Sequence, residues 1–467
     1  MSTHHPVRGA RIAASRPSGY DEGLGDRRPS PALTLAAALL GFALITLDAS
    51  VVTVALPAVG GTLGGGMTGL QWVVDAYTLA FAALMLSTGA FADRAGASRA
   101  YGIGITVFTL ASAACGLAPD LGSLIGARVA QGVAAAVVLP ASLALVRQAY
   151  PEPARRARAV AAWAAGGSVA VALGPVAGGA LTTAWGWRGI FFINLPLGAA
   201  ALLLLVRAPK SRRRPAPLDL PGQVTAVLAL TALTFAVIEG GVRGLVALGM
   251  AVVAATAFVR IEARQPHPVV PLGLFRDRNV AAAVAAGASC SVAFYGVVFV
   301  FSLFFQQAQG RSALYAGLMF LPMTGLIAVT NVVSGKLAAR HGARLPMLAG
   351  QGLAALGLLL LLGVGEDTPP PVVAALLVPM ALGCALTVPP LTAVMMDAVP
   401  AERAGLAAGV LNAARQVAGG LGVAVFGTLV SGSFTGGMRA SLGVSAALLA
   451  VTGLLSLRLG GRPSGSP

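Results

Sequence analysis

The chain has 467 residues, of which 57% are hydrophobic and only 10% charged, and its mean hydropathy of +0.82 excludes a water-soluble domain with an ordinary polar surface. A polytopic membrane protein remains, each crossing needing about 20 apolar residues. The net charge of +16, from 32 Lys and Arg against 16 Asp and Glu, would suggest nucleic acid for a soluble chain. In a membrane chain basic residues first set topology, so no nucleic-acid partner is expected.

Residues 1–30 carry Arg8, Arg11, Arg16, Arg27 and Arg28 among Pro, Ser and Gly. They read as a disordered, uncleaved cytoplasmic tail, because the apolar run behind them is too long for a signal-peptide core. Apolar runs then fall at 33–58, 70–91, 100–117, 122–146, 157–182, 190–207, 223–239, 244–260, 279–305, 315–335, 345–364, 371–396, 404–432 and 440–457, which predicts fourteen spans. With both ends inside, only Arg188, Arg243, Arg311 and Arg439 fall in outer loops. Arg128 and Arg415 fall within spans, and every other Lys and Arg is cytoplasmic. That asymmetry accounts for the net charge. The seventh and eighth runs are short, at about 17 residues each, so they form either two crossings or a shallow hairpin. The predicted organisation is a six-helix bundle over 31–210, a linker with two additional helices over 211–265, a second six-helix bundle over 266–458 and a cytoplasmic tail over 459–467. Cys115, Cys290 and Cys384 sit singly in apolar stretches, where they read as small packing residues and form neither a disulfide framework nor a metal site.

Between the second and third runs lies a tight turn containing Gly89, Asp93, Arg94, Gly96 and Arg99, with glycines where backbones must approach. Gly335-Lys336 through Arg340-His341-Gly342-Ala343-Arg344 echoes it between the tenth and eleventh runs, which suggests two related halves. A plain basic loop is the competing reading of either stretch alone.

The first of these turns, with three other stretches, resembles the major facilitator superfamily, and within it the fourteen-span drug:proton antiporters. Leu47-Asp48-Ala49-Ser50-Val51-Val52-Thr53-Val54-Ala55-Leu56-Pro57 is similar to that family's first-helix signature, and Arg128-Val129-Ala130-Gln131-Gly132 to its intramembrane Arg motif. Gly167 with Gly174-Pro175-Val176-Ala177-Gly178-Gly179 resembles the motif that marks exporters. Gln71-Trp72-Val73-Val74-Asp75-Ala76-Tyr77, and Trp185-Gly186-Trp187-Arg188 through Asn194-Leu195-Pro196, also look like this family. The second turn departs from the pattern, lacking the acid that Asp93 supplies in the first. The resemblance implies an all-α fold of two six-helix bundles around a central cavity, with two extra transmembrane helices between them.

The residues themselves carry further expectations. An ionised carboxylate deep in a span costs several kcal/mol unless it is paired, protonated or hydrated. Asp48 and Arg128 lie at overlapping depths on oppositely running spans, so they form either a proton-coupling pair or a permanent structural ion pair. Asp75, beside Trp72 and Tyr77, is either an interfacial cap in an aromatic belt or a third coupling residue. Gln131, Gln306, Asn331, Asn412, Arg415 and Gln416 face substrate or bond helix to helix. Gly174-Pro175, with Gly178 and Gly179, forms a hinge, a seal or a tight packing face.

The resulting expectation is a proton-coupled antiporter in the bacterial plasma membrane, both termini cytoplasmic, exporting small amphipathic molecules such as drugs or antibiotics by alternating access. Its partners are that substrate, protons and the lipid bilayer, and a monomer is expected. The alternatives are a dedicated exporter of one metabolite, a proton-coupled importer and a membrane-embedded receptor or enzyme. His4, His5, His267 and His341 lie in tails or loops and no Gly-x4-Gly-Lys-Ser/Thr loop occurs, so no enzyme activity, cofactor or metal is expected.

Overall fold

The computed structural model describes residues 30–208, 211, 219–266, 268, 270–399 and 404–457. The expected tails, His267 and most of the basic stretch before Asp219 lie outside the described residues. Helices α1 (Pro31–Leu63), α2 (Gly66–Ala95), α3 (Ala97–Leu117), α4 (Leu121–Ala149) and α5 (Pro153–Trp185) come first, followed by α6 (Gly189–Phe192) and α7 (Asn194–Leu205). A hairpin of α8 (Leu220–Glu239) and α9 (Gly241–Glu262) leads to α10 (Arg278–Leu303), which runs on as a π-helical segment, Phe304–Ala308. The chain then forms α11 (Ala313–Met319), α12 (Leu321–His341), α13 (Arg344–Leu361), α14 (Pro370–Asp397), α15 (Ala404–Gly432) and α16 (Phe434–Leu457). No strand occurs among the described residues.

Helix is the only open-ended way to satisfy every backbone donor and acceptor in hydrocarbon. Both sides of these helices are apolar for the same reason: on α3, Ile105 and Phe108 are fully buried while Leu110 is 66% exposed. Polar side chains appear where a helix begins. Asp120 Oδ1 accepts from Ser123 N at 2.8 Å, and Asp277 Oδ1 from Asn279 N at 2.8 Å, each satisfying a donor left over in the first turn.

Among the described residues, and counting α11 with α12 as one, twelve helices are long and apolar enough to cross a bilayer, and α2, bent by 65° between Met85 and Ser87, makes a thirteenth when taken as one span. The predicted sixth span, 190–207, needs correction. Only 189–205 is helical and Ile193 interrupts it. Pro196 has no N–H to give the carbonyl four residues back, at Phe192, so the hydrogen-bond ladder is interrupted there while Ile193 keeps helical backbone angles (φ −60, ψ −27). The short seventh and eighth runs are longer than the hydrophobicity alone implies. The 20 residues of α8 and 22 of α9 reach roughly 30 Å each, so both are long enough to cross a bilayer.

Helices α1–α7 pack on one another, as do α10–α16, and the two bundles meet through α2 on α15, α5 on α11 and α12, and α1 on α10. The α8–α9 hairpin lies against α2 and α15. Gln223 donates to Ala83 O, Thr428 Oγ1 bonds Val237 O at 3.1 Å, and Phe235 sits 6.2 Å from Trp72. The two related turns adopt the same geometry. Gly96 (φ 87) joins α2 to α3 and Gly342 (φ 80) follows α12, a left-handed conformation that glycine adopts without penalty. These turns, with the α4–α5 turn, mark the basic face of the molecule; the α1–α2 and α5–α6 turns mark the opposite face.

Candidate functional site

The interior of the first bundle holds a buried polar network. Asp48 of α1 and Arg128 of α4 form an ion pair with Nη1 to Oδ2 at 2.5 Å, at 0% and 1% exposure. Gln131, one turn from Arg128, accepts from its Nη1 at 3.0 Å and donates to Asp48 Oδ1 at 3.2 Å. Arg128 Nε donates to Val73 O at 3.0 Å, and the guanidinium carbon lies 4.2 Å from the Tyr77 ring centroid. Asp48 Oδ1 also accepts from Asn194 Nδ2 at 2.8 Å, and Asn194 reaches Ser112 Oγ at 2.9 Å. Asn194, the first residue of α7, is thus buried in the core at 1% exposure. Desolvating an ion pair costs more than its Coulomb energy returns unless further hydrogen bonds complete it, and here Gln131, Asn194 and the Val73 carbonyl do so. Asn194, Ser112 and Tyr77 are members that site reasoning from sequence did not assign. A lone amide in an apolar run, directly before Leu195-Pro196, was the available signal for Asn194.

Asp75 is placed quite differently. It is fully buried, and neither carboxylate oxygen has a hydrogen-bond partner among the described residues. Its Oδ1 faces Gly420 of α15, where a side-chain carbon built on the glycine would come within 3.4 Å. Asp75 therefore lies in the seam between bundles, not in an interfacial aromatic belt, and Tyr77 is buried as well.

A cavity of about 280 Å³ occupies the middle of the molecule and extends toward the basic face. Phe42, Tyr77, Phe81 and Trp163 line it from the first bundle, and Phe294 and Tyr295 from the second. Phe42 and Trp163 stack at 4.2 Å between ring centroids. Of the six polar candidates, Asn412, Arg415 and Gln416 line this cavity. The other three do not: Gln131 belongs to the ion-pair network, Gln306 bonds Val54 O at 2.9 Å across the bundles, and Asn331 lies on α12 away from the lining.

The opposite face is closed. Gln71 reaches Ala424 O at 2.5 Å, Ser302 Oγ donates to Thr53 O at 3.0 Å, Thr324 Oγ1 to Ala172 O at 3.0 Å, and Leu314 N to Thr183 Oγ1 at 3.3 Å. The glycine motif of α5, which runs unbroken through Pro175, divides between two partners. Side-chain carbons at Gly167 and Gly174 would strike Phe42 and Ser50 of α1, and one at Gly178 would come 2.7 Å from Val51 O. At Gly179 the obstruction is the Ala313 and Leu314 backbone of the second bundle, and Gly317 returns the contact against Pro175 and Val176. At the basic face, Gly96 abuts Ser211, whose hydroxyl receives Ser98 N at 3.1 Å. Gly89 lies within α2, and Asp93 and Arg94 are exposed, without an ion pair among the described residues.

The chain resembles known proteins along nearly its whole length. A profile of the Major Facilitator Superfamily matches residues 38–423. The multidrug resistance protein Stp of Mycobacterium tuberculosis is 42% identical over 410 residues, covering 85% of this chain and 76% of that one. The methylenomycin A resistance protein of Streptomyces coelicolor is 36% identical over 449 residues, with 94% of each chain covered. Among solved structures, the peptide transporter POT aligns with a TM-score of 0.71 at 16% identity over 92% of this chain and 95% of that chain, and so shares the fold. The two packed bundles, the central cavity and these matches agree, and the chain belongs to the major facilitator superfamily, a family of transporters and not of enzymes.

Proposed function

We propose that this transporter is a proton-coupled antiporter that exports small, amphipathic organic molecules across the bacterial plasma membrane, with the basic face and both termini cytoplasmic. Its relatives are named for multidrug and antibiotic resistance, and the basic-face loops carry the arginine excess that favours the cytoplasm. The cavity, aromatic on several sides with hydroxyl and amide side chains between the rings, suits amphipathic cargo.

Buried Asp75, its two oxygens without partners, carries the coupling part of this reading. A buried carboxylate with neither counter-charge nor donor costs several kcal/mol, whereas the neutral acid costs far less. In the closed seam the acid holds a proton against Gly420. Opening the opposite face parts α2 from α15 and brings outside water to the carboxyl, which loads the proton there. The Asp48–Arg128 pair, fully hydrogen-bonded, links α1, α4 and α7 and transmits the change within the first bundle. Gly89, Asp93, Arg94 and Gly96 act at the basic face, where Asp93 is free to find a partner when that face closes. Gly167, Gly174, Pro175, Gly178 and Gly179 act as the seal.

Proton release from purified protein on adding a transported substrate tests this reading. Asp75→Asn is expected to abolish release while the protein remains folded. Asp48→Asn is expected to slow transport, and Arg128→Lys to restore more of it than Arg128→Ala, since Lys keeps the charge but not the planar fork. Undiminished proton release from Asp75→Asn would remove Asp75 from the coupling role.

A further inference from the structure

Among the described residues that line the central cavity, only Arg415 carries a formal charge, and none is Asp or Glu. Arg415, on α15, is half-buried and forms neither an ion pair nor a hydrogen bond with any described residue. Its Nε is buried without a partner. The two buried carboxylates of the first bundle, Asp48 and Asp75, are occupied or misplaced. Asp48 is bound by Arg128, Gln131 and Asn194, and Asp75 faces Gly420, five residues farther along α15, or roughly 7 Å of helix. A half-buried guanidinium whose Nε is shut off without a partner has donors left to fill, and planar carboxylates are the ligands its fork fits best. Around it stand the rings of Phe294 and Tyr295 on one side and of Phe42, Tyr77, Phe81 and Trp163 on the other. Asn412 and Gln416, within one turn of Arg415, add amides that bond a second polar group.

Building on the export reading above, we infer that the cargo is an aromatic or similarly flat apolar molecule bearing one acidic group, which pairs with Arg415 while the ring system packs among the cavity aromatics. Lipophilic cations are disfavoured, because they meet a fixed like charge and no acid. Arg415 thus sets the sign of the substrate, and Asn412 and Gln416 orient it.

The test uses three probes of one shape: 2-naphthoate, neutral 2-naphthamide and the cation trimethyl(2-naphthyl)ammonium. Each is titrated calorimetrically into the full-length protein in nanodiscs at pH 7.5. Wild type should bind naphthoate at least tenfold more tightly than naphthamide, and the cation least tightly. Arg415→Gln should abolish the preference while leaving naphthamide affinity within about twofold, and Arg415→Lys should retain part of it. Arg439→Gln, remote from the cavity, should behave as wild type. A wild-type preference below twofold, a preference for the cation, or an Arg415→Gln variant that weakens all three probes equally would overturn the inference; the first two need no variant to fold. Uptake of the same probes into inverted vesicles separates this from the export reading. Naphthoate that binds through Arg415 but is never accumulated removes export and leaves the charge preference standing. Accumulation of the cation alone keeps export and removes the charge preference.

Discussion

The most quantitative consequence of the structure concerns the ion pair inside the first bundle. Arg128→Gln removes the 2.5 Å contact to Asp48, the bond to Val73 O and the stacking on Tyr77. It leaves a fully buried carboxylate held only by the amides of Gln131 and Asn194. Breaking a buried pair from one side costs about 3–5 kcal/mol, more than a hundredfold in the folded-to-unfolded ratio. Asp48→Asn leaves the mirror problem, a buried guanidinium whose remaining acceptors, Val73 O and Gln131 Oε1, are neutral, and should cost a similar amount. Carrying both changes, the protein buries two neutral amides of similar size with donors and acceptors still in reach, so the double variant should be more stable than either single one. The expected interaction energy from the cycle is about 3 kcal/mol or more. Unfolding of the four proteins in mixed micelles, followed by tryptophan fluorescence, measures it. Additive losses in the double variant, or a single variant costing under about 1 kcal/mol, would refute the view that desolvated charge dominates this network.

Two further results follow from the way the bundles close. Gly178→Leu meets the Val51 backbone within the first bundle and should reduce the yield of folded protein, by overpacking worth roughly 1–3 kcal/mol. Gly179→Leu meets Ala313 and Leu314 of the other bundle and should fold normally but fail to close the opposite face. A cysteine at Ser302, shielded by Thr53 in the parent, would then react with an impermeant thiol reagent; equal behaviour of the two variants would show that the motif does not divide as described. Gln71→Leu removes the bond to Ala424 O and the longer one to Thr428 Oγ1, and Gln306→Leu the bond to Val54 O, a loss of about 1 kcal/mol for each side chain. Together they should raise the open population about thirtyfold, read by the same labelling, and unchanged reactivity would place the closing energy elsewhere.

The legible parts of the sequence were those in which the physics is one-dimensional. The length of an apolar run marks a crossing, and the cost of a charge in hydrocarbon makes Asp48, Asp75, Arg128 and Arg415 conspicuous wherever their partners lie. Arginine counts in loops order the two faces by the same kind of linear reading. Asn194-Leu195-Pro196 was legible only as part of a family-like stretch, and the interruption at Ile193 was not anticipated. Rotation of each helix about its own axis was not legible. A soluble helix shows its buried side through an apolar stripe, but these helices are apolar all round because lipid and core make the same demand. Only the tertiary packing therefore decided that Asp48 is locked with Arg128, Gln131 and Asn194 while Asp75, a helix away, faces a glycine. Packing likewise decided that neighbouring Gly178 and Gly179 meet different bundles, and that Arg415 stands in the cavity with its charge unanswered.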